Sequence, residues 1–242
     1  GSACPPAMIR SFRDEHGVTV LHAWGMTEMS PIGTICNLKL AQRDLPPEAQ
    51  LGVLAKQGRA VFGVDMRIVG PDGNELPWDG KTSGDLQVQG PWIASAYFKD
   101  EGGDPLVHSA DGDWFPTGDV GSIDADGFLQ ITDRSKDVIK SGGEWISSID
   151  IENVAVAHPA IAMAACIALP HPKWDERPLL VVVPRGAPPD KRALIDYLSG
   201  HVAKWWLPDD VVFVEELPHT ATGKLLKIKL REQFKGYRLP TY

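Results

Sequence analysis

The sequence has 242 residues, 43% of them hydrophobic and 23% charged, with a formal net charge of −8. Such a chain can build a packed core, which excludes wholesale disorder, and its acidic balance excludes nonspecific nucleic-acid binding, which needs a dominant cationic surface. Cys4, Cys36 and Cys166 are too few and too scattered for a disulfide framework or a zinc site, so a reducing, cytoplasmic setting is expected.

The length exceeds one average domain, and two are expected. The first distinctive stretch is AWGMTEMSP, Ala23 to Pro31. Trp24 offers a flat apolar face for a purine, Gly25 lets backbone approach a ligand, Thr27 can donate to a phosphate oxygen and Glu28 is a hard oxygen ligand suited to Mg²⁺. The same pentad also reads as a turn with one core tryptophan. From Gly52 to Asp133 short alternating segments are broken by Pro71-Asp72-Gly73 and by Asp124 to Gly127, the chemistry of β-hairpin turns, so residues 52–133 are expected to be a β-rich subdomain. Gly80-Lys81-Thr82 lacks the earlier glycine of a phosphate loop and reads as a turn. In WFPTGDVGSI, Asp119 presents a carboxylate able to accept both hydroxyls of a ribose, although Gly-Asp is also an ordinary turn pair.

After Asp133 the pattern changes to an α/β alternation. DRSKDVIKSGGEWIS carries Arg134, Lys136 and Lys140, then Gly142-Gly143-Glu144-Trp145. Its plain reading is a solvated linker with a hairpin; its functional reading is a pivot at Lys136 and a glycine-lined ligand channel. A helix is expected over Ser148 to His158, capped by Ser147 or Ser148. Strands follow at Ile161 to Leu169 and at LLVVVP, then a helix from Asp190 with Leu194, Tyr197 and Leu198 on one face and Gly200 as its stop. VVFVEEL precedes LPHTATGKLLK and a basic helix from about Leu225, where Lys224 reads either as a solvent-facing charge or as a lysine reaching into a site to neutralise charge developing on carboxylate and phosphate oxygens. Lys227, Lys229 and Arg231 would add a local cationic field, or belong to a plain amphipathic helix. His22 and His219 read as packing or surface residues. The apolar run Ala160 to Leu169 is too short to span a bilayer, and no transmembrane segment is expected.

In this order the four motifs resemble those of the acyl-adenylate-forming superfamily, which contains acyl-CoA synthetases, peptide-synthetase adenylation domains and beetle luciferases; AWGMTEMSP with DRSKDVIKSGGEWISS is most similar to the fatty-acyl-CoA ligase branch. The resemblance covers essentially the whole chain. It implies that Trp24 stacks on adenine beside Gly25 and Met26, Thr27 contacts phosphate, Glu28 binds Mg²⁺, Asp119 and Arg134 hold the ribose, and Lys136 is a hinge. Lys224 matches the adenylation lysine, and Lys140 a lysine presented for thioester formation. Gly142, Gly143, Glu144 and Trp145 fall on the loop that approaches the pantetheine of coenzyme A, and Gly1-Ser2-Ala3 resemble part of a segment that contacts adenine.

The implied fold is α+β in two domains. Residues 1–133 would be an incomplete large domain with a β-rich, distorted barrel-like subdomain, and residues 134–242 a small mobile C-terminal α+β domain. The implied reaction joins a carboxylic acid, a fatty acid by resemblance, to coenzyme A through acyl-AMP, with ATP and Mg²⁺. The family's upstream phosphate loop does not occur in this sequence, so the chain is expected to be the C-terminal part of a longer enzyme and inactive alone. Such a part is expected to expose apolar surface and to associate, as a homo-oligomer or with the upstream part of the same enzyme. Two other readings stand beside this one: adenylation that loads a carrier protein, and a noncatalytic module that binds a nucleotide or a partner.

Overall fold

The computed structural model describes residues 4–220, 223 and 225–241. The chain divides into two compact units, one ending at Ser135 and the other beginning at Lys136.

The first unit opens with α1 (Pro6–His16), whose proline sits where a missing N–H costs nothing and whose end is set by Gly17 at φ 63°. β1 (Ala23–Gly25) and β2 (Ile32–Ile35) form an antiparallel pair, α2 (Pro47–Leu54) follows, and β3 (Arg59–Ala60) completes a three-stranded sheet in the order β1-β2-β3. Residues 52–54, expected to begin the β-rich stretch, instead close α2, because the proline-led turn at Pro46-Pro47 starts a helix that runs through Gly52.

The β-rich stretch is a second sheet of five strands. β4 (Asp65–Val69), β5 (Gly84–Gln89), β6 (Val107–Ser109), β7 (Gly112–Ile123) and β8 (Leu129–Arg134) pair in the order β4-β5-β7-β6, with β8 also on β7. Period-two alternation explains its two faces. Met66, Ile68, Leu86 and Val88 point into one cluster with Met29, Phe115, Ile123 and Leu129. The intervening Arg67 and Gln87 face the other way as a cross-strand pair, Nε donating to Oε1 at 2.9 Å, with the guanidinium 4.2 Å from the Trp114 ring centre.

In the second unit β9 (Ile139–Ser141) and β10 (Glu144–Ile146) form a hairpin, followed by α3 (Ser148–Ala157), β11 (Ile161–His171), β12 (Asp175–Pro184), α4 (Lys191–Ser199), β13 (Asp210–Phe213) and α5 (Lys227–Gln233). The sheet runs β10-β9-β12-β11, and β13 joins β12 in parallel. Both sheet faces are covered, which is why residues 161–169 of β11 and 179–183 of β12 read as continuous apolar runs; β12 itself begins earlier, at Asp175. Cys166, Leu180, Val182 and Val211 pack with Ile151 and Ala155 of α3 and with Leu194 and Leu198 of α4. Ala165, Ile167, Leu179 and Val181 pack instead with Leu217, Leu230 and Phe234. Ser147 caps α3 by accepting from Asp150 N, and Asp190 caps α4 by accepting from Ala193 N.

Among the described residues no helix is long and apolar enough to cross a membrane.

Candidate functional site

In the first unit, three of the expected site residues come together from segments far apart in sequence. Trp24 leaves β1 half-buried, and its Nε1 donates to Asp119 Oδ2 at 2.8 Å. Asp119 lies in β7 directly opposite Arg134 of β8, whose Nε is 3.5 Å from Asp119 Oδ1. The carboxylate is therefore aimed by an indole donor on one oxygen and a cation near the other. Its side chain is 13% exposed and that of Arg134 is 54% exposed, so the guanidinium is the half of the pair open to solvent.

Local backbone chemistry aims Asp119. Gly118 adopts φ 72°, a region that costs an L side chain but not glycine, and Thr117 Oγ1 accepts from Asp119 N at 3.1 Å while donating to Leu86 O. Ser135 N then donates to Gly118 O, locking the end of β8 onto the same turn.

Gly25 has a reason within the fold itself. A Cβ there would lie 1.9 Å from Pro31 O, so glycine is demanded by the close return of the chain's own loop. Thr27 is exposed in a 3₁₀ turn, Thr27–Met29, with Met26 half-buried before it. Glu28, in the middle of that turn, accepts from Tyr97 Oη at 2.9 Å, and this bond pushes the Tyr97 pKa up. The sequence reading missed Tyr97, because a lone tyrosine meeting a lone glutamate across the fold leaves no spacing signal. Among the described residues no cluster of three or more His, Cys, Asp or Glu could enclose a metal ion. A single carboxylate such as Glu28 is chemically suited to Mg²⁺, which takes one or two carboxylates together with phosphate and water oxygens.

In the second unit, Gly142 and Gly143 adopt φ 60° and 87° and join Ser141 to its register partner Glu144. Two successive left-handed residues are what a two-residue hairpin demands, so the turn itself needs both glycines. Gly142 has a further reason: a Cβ would lie 3.0 Å from the Trp174 ring, and its N–H donates to Trp174 O at 2.8 Å. Lys140 and Trp145 are cross-strand partners on this hairpin; Lys140, Gly142, Gly143 and Glu144 are exposed and Trp145 is half-buried. Lys136 is exposed at the first position of the unit.

The expected cationic field on α5 is largely spent internally. Lys227 is buried with its Nζ 2.7 Å from Glu152, and Arg231 pairs with Asp137 at 2.8 Å; Lys229 remains exposed. His22 is buried against Ala55 O, and burial lowers its pKa, as fits a packing residue. Asp79 folds Lys81 and Thr82 into the expected turn by accepting both amides. Gly1, Ser2, Ala3 and Lys224 lie outside the described residues.

With this geometry in view, comparison with known proteins is specific. Residues 1–98 match the family model of AMP-binding enzymes, and residues 150–224 match that of the AMP-binding enzyme C-terminal domain. The chain is 56% identical to a 3-methylmercaptopropionyl-CoA ligase of Ruegeria lacuscaerulensis over 97% of its own length and 43% of that protein's. It is 50% identical to a medium-chain-fatty-acid–CoA ligase of Ectopseudomonas oleovorans, covering 97% of this chain and 42% of the relative. The crystal structure of ATP-bound MatB from Rhodopseudomonas palustris superposes with a TM-score of 0.78 at 31% identity, covering 96% of this chain and 44% of that one. The chain thus spans less than half the length of these relatives, and it belongs to the AMP-binding, adenylate-forming enzyme family, whose C-terminal domain it carries.

Proposed function

We propose that this chain is the C-terminal part of an AMP-forming carboxylic acid–CoA ligase. The observation that carries the reading is the convergence of Trp24, Asp119 and Arg134, an aromatic face beside a pre-aimed carboxylate, in a chain similar over nearly its full length to CoA ligases. In this reading Trp24 stacks on adenine, Asp119 accepts the ribose hydroxyls, Arg134 contributes a donor beside them, and Thr27 donates to phosphate. Glu28 holds Mg²⁺, which supplies charge neutralisation on the phosphates when bound.

A carboxylate oxygen of the acid attacks the α-phosphorus of ATP, the bond to pyrophosphate breaks, and acyl-AMP forms. The thiol sulfur of coenzyme A, losing its proton, then attacks the acyl carbon, and AMP leaves with the C–O electron pair. Dividing the reaction this way replaces a poor leaving group by a good one. Lys224 serves the first step; Lys140 and the Gly142-Gly143 turn, with Glu144 and Trp145, serve the second, and Lys136 is the pivot between them. The acid is a short- or medium-chain aliphatic carboxylate, fatty or thioether-bearing, a reading supported by the names of the two relatives.

The test is mass spectrometry after incubation with ATP, Mg²⁺, coenzyme A and a panel of such acids, run on this chain and on the full-length protein that contains it. Both acyl-AMP and acyl-CoA are expected from the full-length protein, with nucleotide binding but no turnover from the 242-residue chain. AMP binding without either product from the full-length protein would sink the ligase reading, and transfer only to a phosphopantetheinyl carrier protein would replace coenzyme A as the acceptor.

A further inference from the structure

Arg177 stands near the start of β12, and all three of its guanidinium nitrogens are engaged. Nε donates to Asp209 Oδ1 at 2.8 Å, one terminal nitrogen donates to Ser141 Oγ at 3.2 Å and to Trp205 O at 2.8 Å, and the other donates to Leu207 O at 3.0 Å and lies 2.6 Å from Asp209 Oδ1. The Arg177 side chain is 13% exposed and that of Asp209 is 7% exposed, so the pair works in a poorly solvated place. A planar fork of five N–H donors is required to meet a carboxylate, a hydroxyl and two carbonyls together; a lysine ammonium has three donors and no plane.

The partners belong to two different loops. Ser141 ends β9 and immediately precedes the Gly142-Gly143 turn, whereas Trp205, Leu207 and Asp209 lead into β13. Neighbours of Arg177 hold the same turn: Glu176 Oε2 accepts from Lys140 N at 2.8 Å, and Trp174 O accepts from Gly142 N at 2.8 Å. Residues 140, 141 and 142 are thus gripped one after another by residues 176, 177 and 174. Arg177 alone of these three extends the grip to the second loop through the bonds given above.

We propose that Arg177 is a positioning residue for the thioester-forming half-reaction, tying the turn that carries Lys140 and Gly142-Gly143 to the Trp205–Asp209 loop so that both move as one piece. The proposal rests on the ligase reading of that turn. It assigns Arg177 no contact with reacting atoms and no part in adenylation.

The experiment compares wild-type full-length protein with Arg177→Lys and Asp209→Asn. Three quantities are measured: the rate of acyl-AMP formation, single-turnover acyl transfer from enzyme-bound acyl-AMP to coenzyme A, and amide hydrogen exchange over residues 140–145 and 204–209. Arg177→Lys is expected to slow acyl transfer about ten- to a hundred-fold, the scale of loss caused by small misplacements, while acyl-AMP formation stays within about two-fold of wild type. Exchange is expected to rise in both segments together and to stay unchanged in the centres of β11 and β12. Asp209→Asn, which keeps an acceptor oxygen, gives the same pattern more weakly. Equal slowing of both half-reactions, full transfer activity in Arg177→Lys, or faster exchange in only one of the two segments overturns the proposal. A wild-type enzyme that forms neither acyl-AMP nor acyl-CoA overturns the ligase reading, and the proposed catalytic role with it; the exchange data then decide the mechanical link between the loops independently.

Discussion

Trp24 is the residue on which the nucleotide reading turns. Its two assets separate by substitution: Trp24→Ala removes the ring and the donor to Asp119, whereas Trp24→Phe keeps an aromatic face and deletes only the donor. Trp24→Ala is expected to weaken AMP binding by about 1–3 kcal/mol, the measured worth of base–aromatic stacking, with Trp24→Phe between it and wild type. Calorimetric titration of AMP checks this, and unchanged affinity in Trp24→Ala removes Trp24 from the adenine site. That Trp24 lies against Asp119 is legible in the sequence only as motif order, since neither a tryptophan nor a Gly-Asp pair states its partner. The glycines teach the converse. Gly25, Gly142 and Gly143 suggest ligand approach in the sequence, and the folded chain accounts for each through its own loop or turn.

Among the secondary-structure elements, the hairpin of β6 and β7 carries a pH-dependent clasp. His108 Nδ1 lies 2.7 Å from Asp113 and Nε2 lies 2.8 Å from Asp104, and these two bonds, Asp113 first, raise the His108 pKa to about 9 from 6.5. A folded-state pKa above the unfolded one means that the imidazolium stabilises the fold fully below pH 6.5 and that this contribution is lost as the pH rises through about 9. All three side chains are well exposed, so the consequence is local loosening of the hairpin. Proton NMR is expected to give a His108 midpoint near 9, with faster amide exchange around residues 104–113 above it. A midpoint near 6.5 dismisses the clasp. Several elements of the second unit are readable in the sequence, because residues 161–169 of β11 and 179–183 of β12 are covered on both faces and show it as apolar runs, and because Ser147 and Asp190 announce their helices by capping chemistry. The start of the β-rich stretch differs at residues 52–54, which the helix begun at Pro46-Pro47 draws into α2.

At the level of the complete enzyme the ligase reading divides its labour between two lysines. Lys224→Ala in the full-length protein is expected to abolish acyl-AMP formation while sparing thioester formation from supplied acyl-AMP. Equal loss of both half-reactions would refute that division. The experiment pairs naturally with Arg177→Lys, for which the opposite half-reaction is expected to suffer. Lys227, three positions beyond Lys224, has a different part, because its charge is buried against Glu152 of α3 and holds α5 to α3. Losing one partner of such a buried pair costs about 3–5 kcal/mol.

Apolar runs and capping residues, which are local signals, were enough to place the strands at Ile161 to Leu169 and at LLVVVP and the helices after Ser147 and Asp190, while the α+β class and the adenylate-forming family came from the resemblance carried by four short motifs in order. The Tyr97–Glu28 bond, the Arg177 hub and the Lys227–Glu152 pair were invisible there, since each joins residues 28 or more positions apart with no repeating pattern between them. Their pairing depends on what the folded chain brings near: Arg177, Asp209, Lys227 and Glu152, largely excluded from water, must find partners there, and that neighbourhood exists only once the chain has folded.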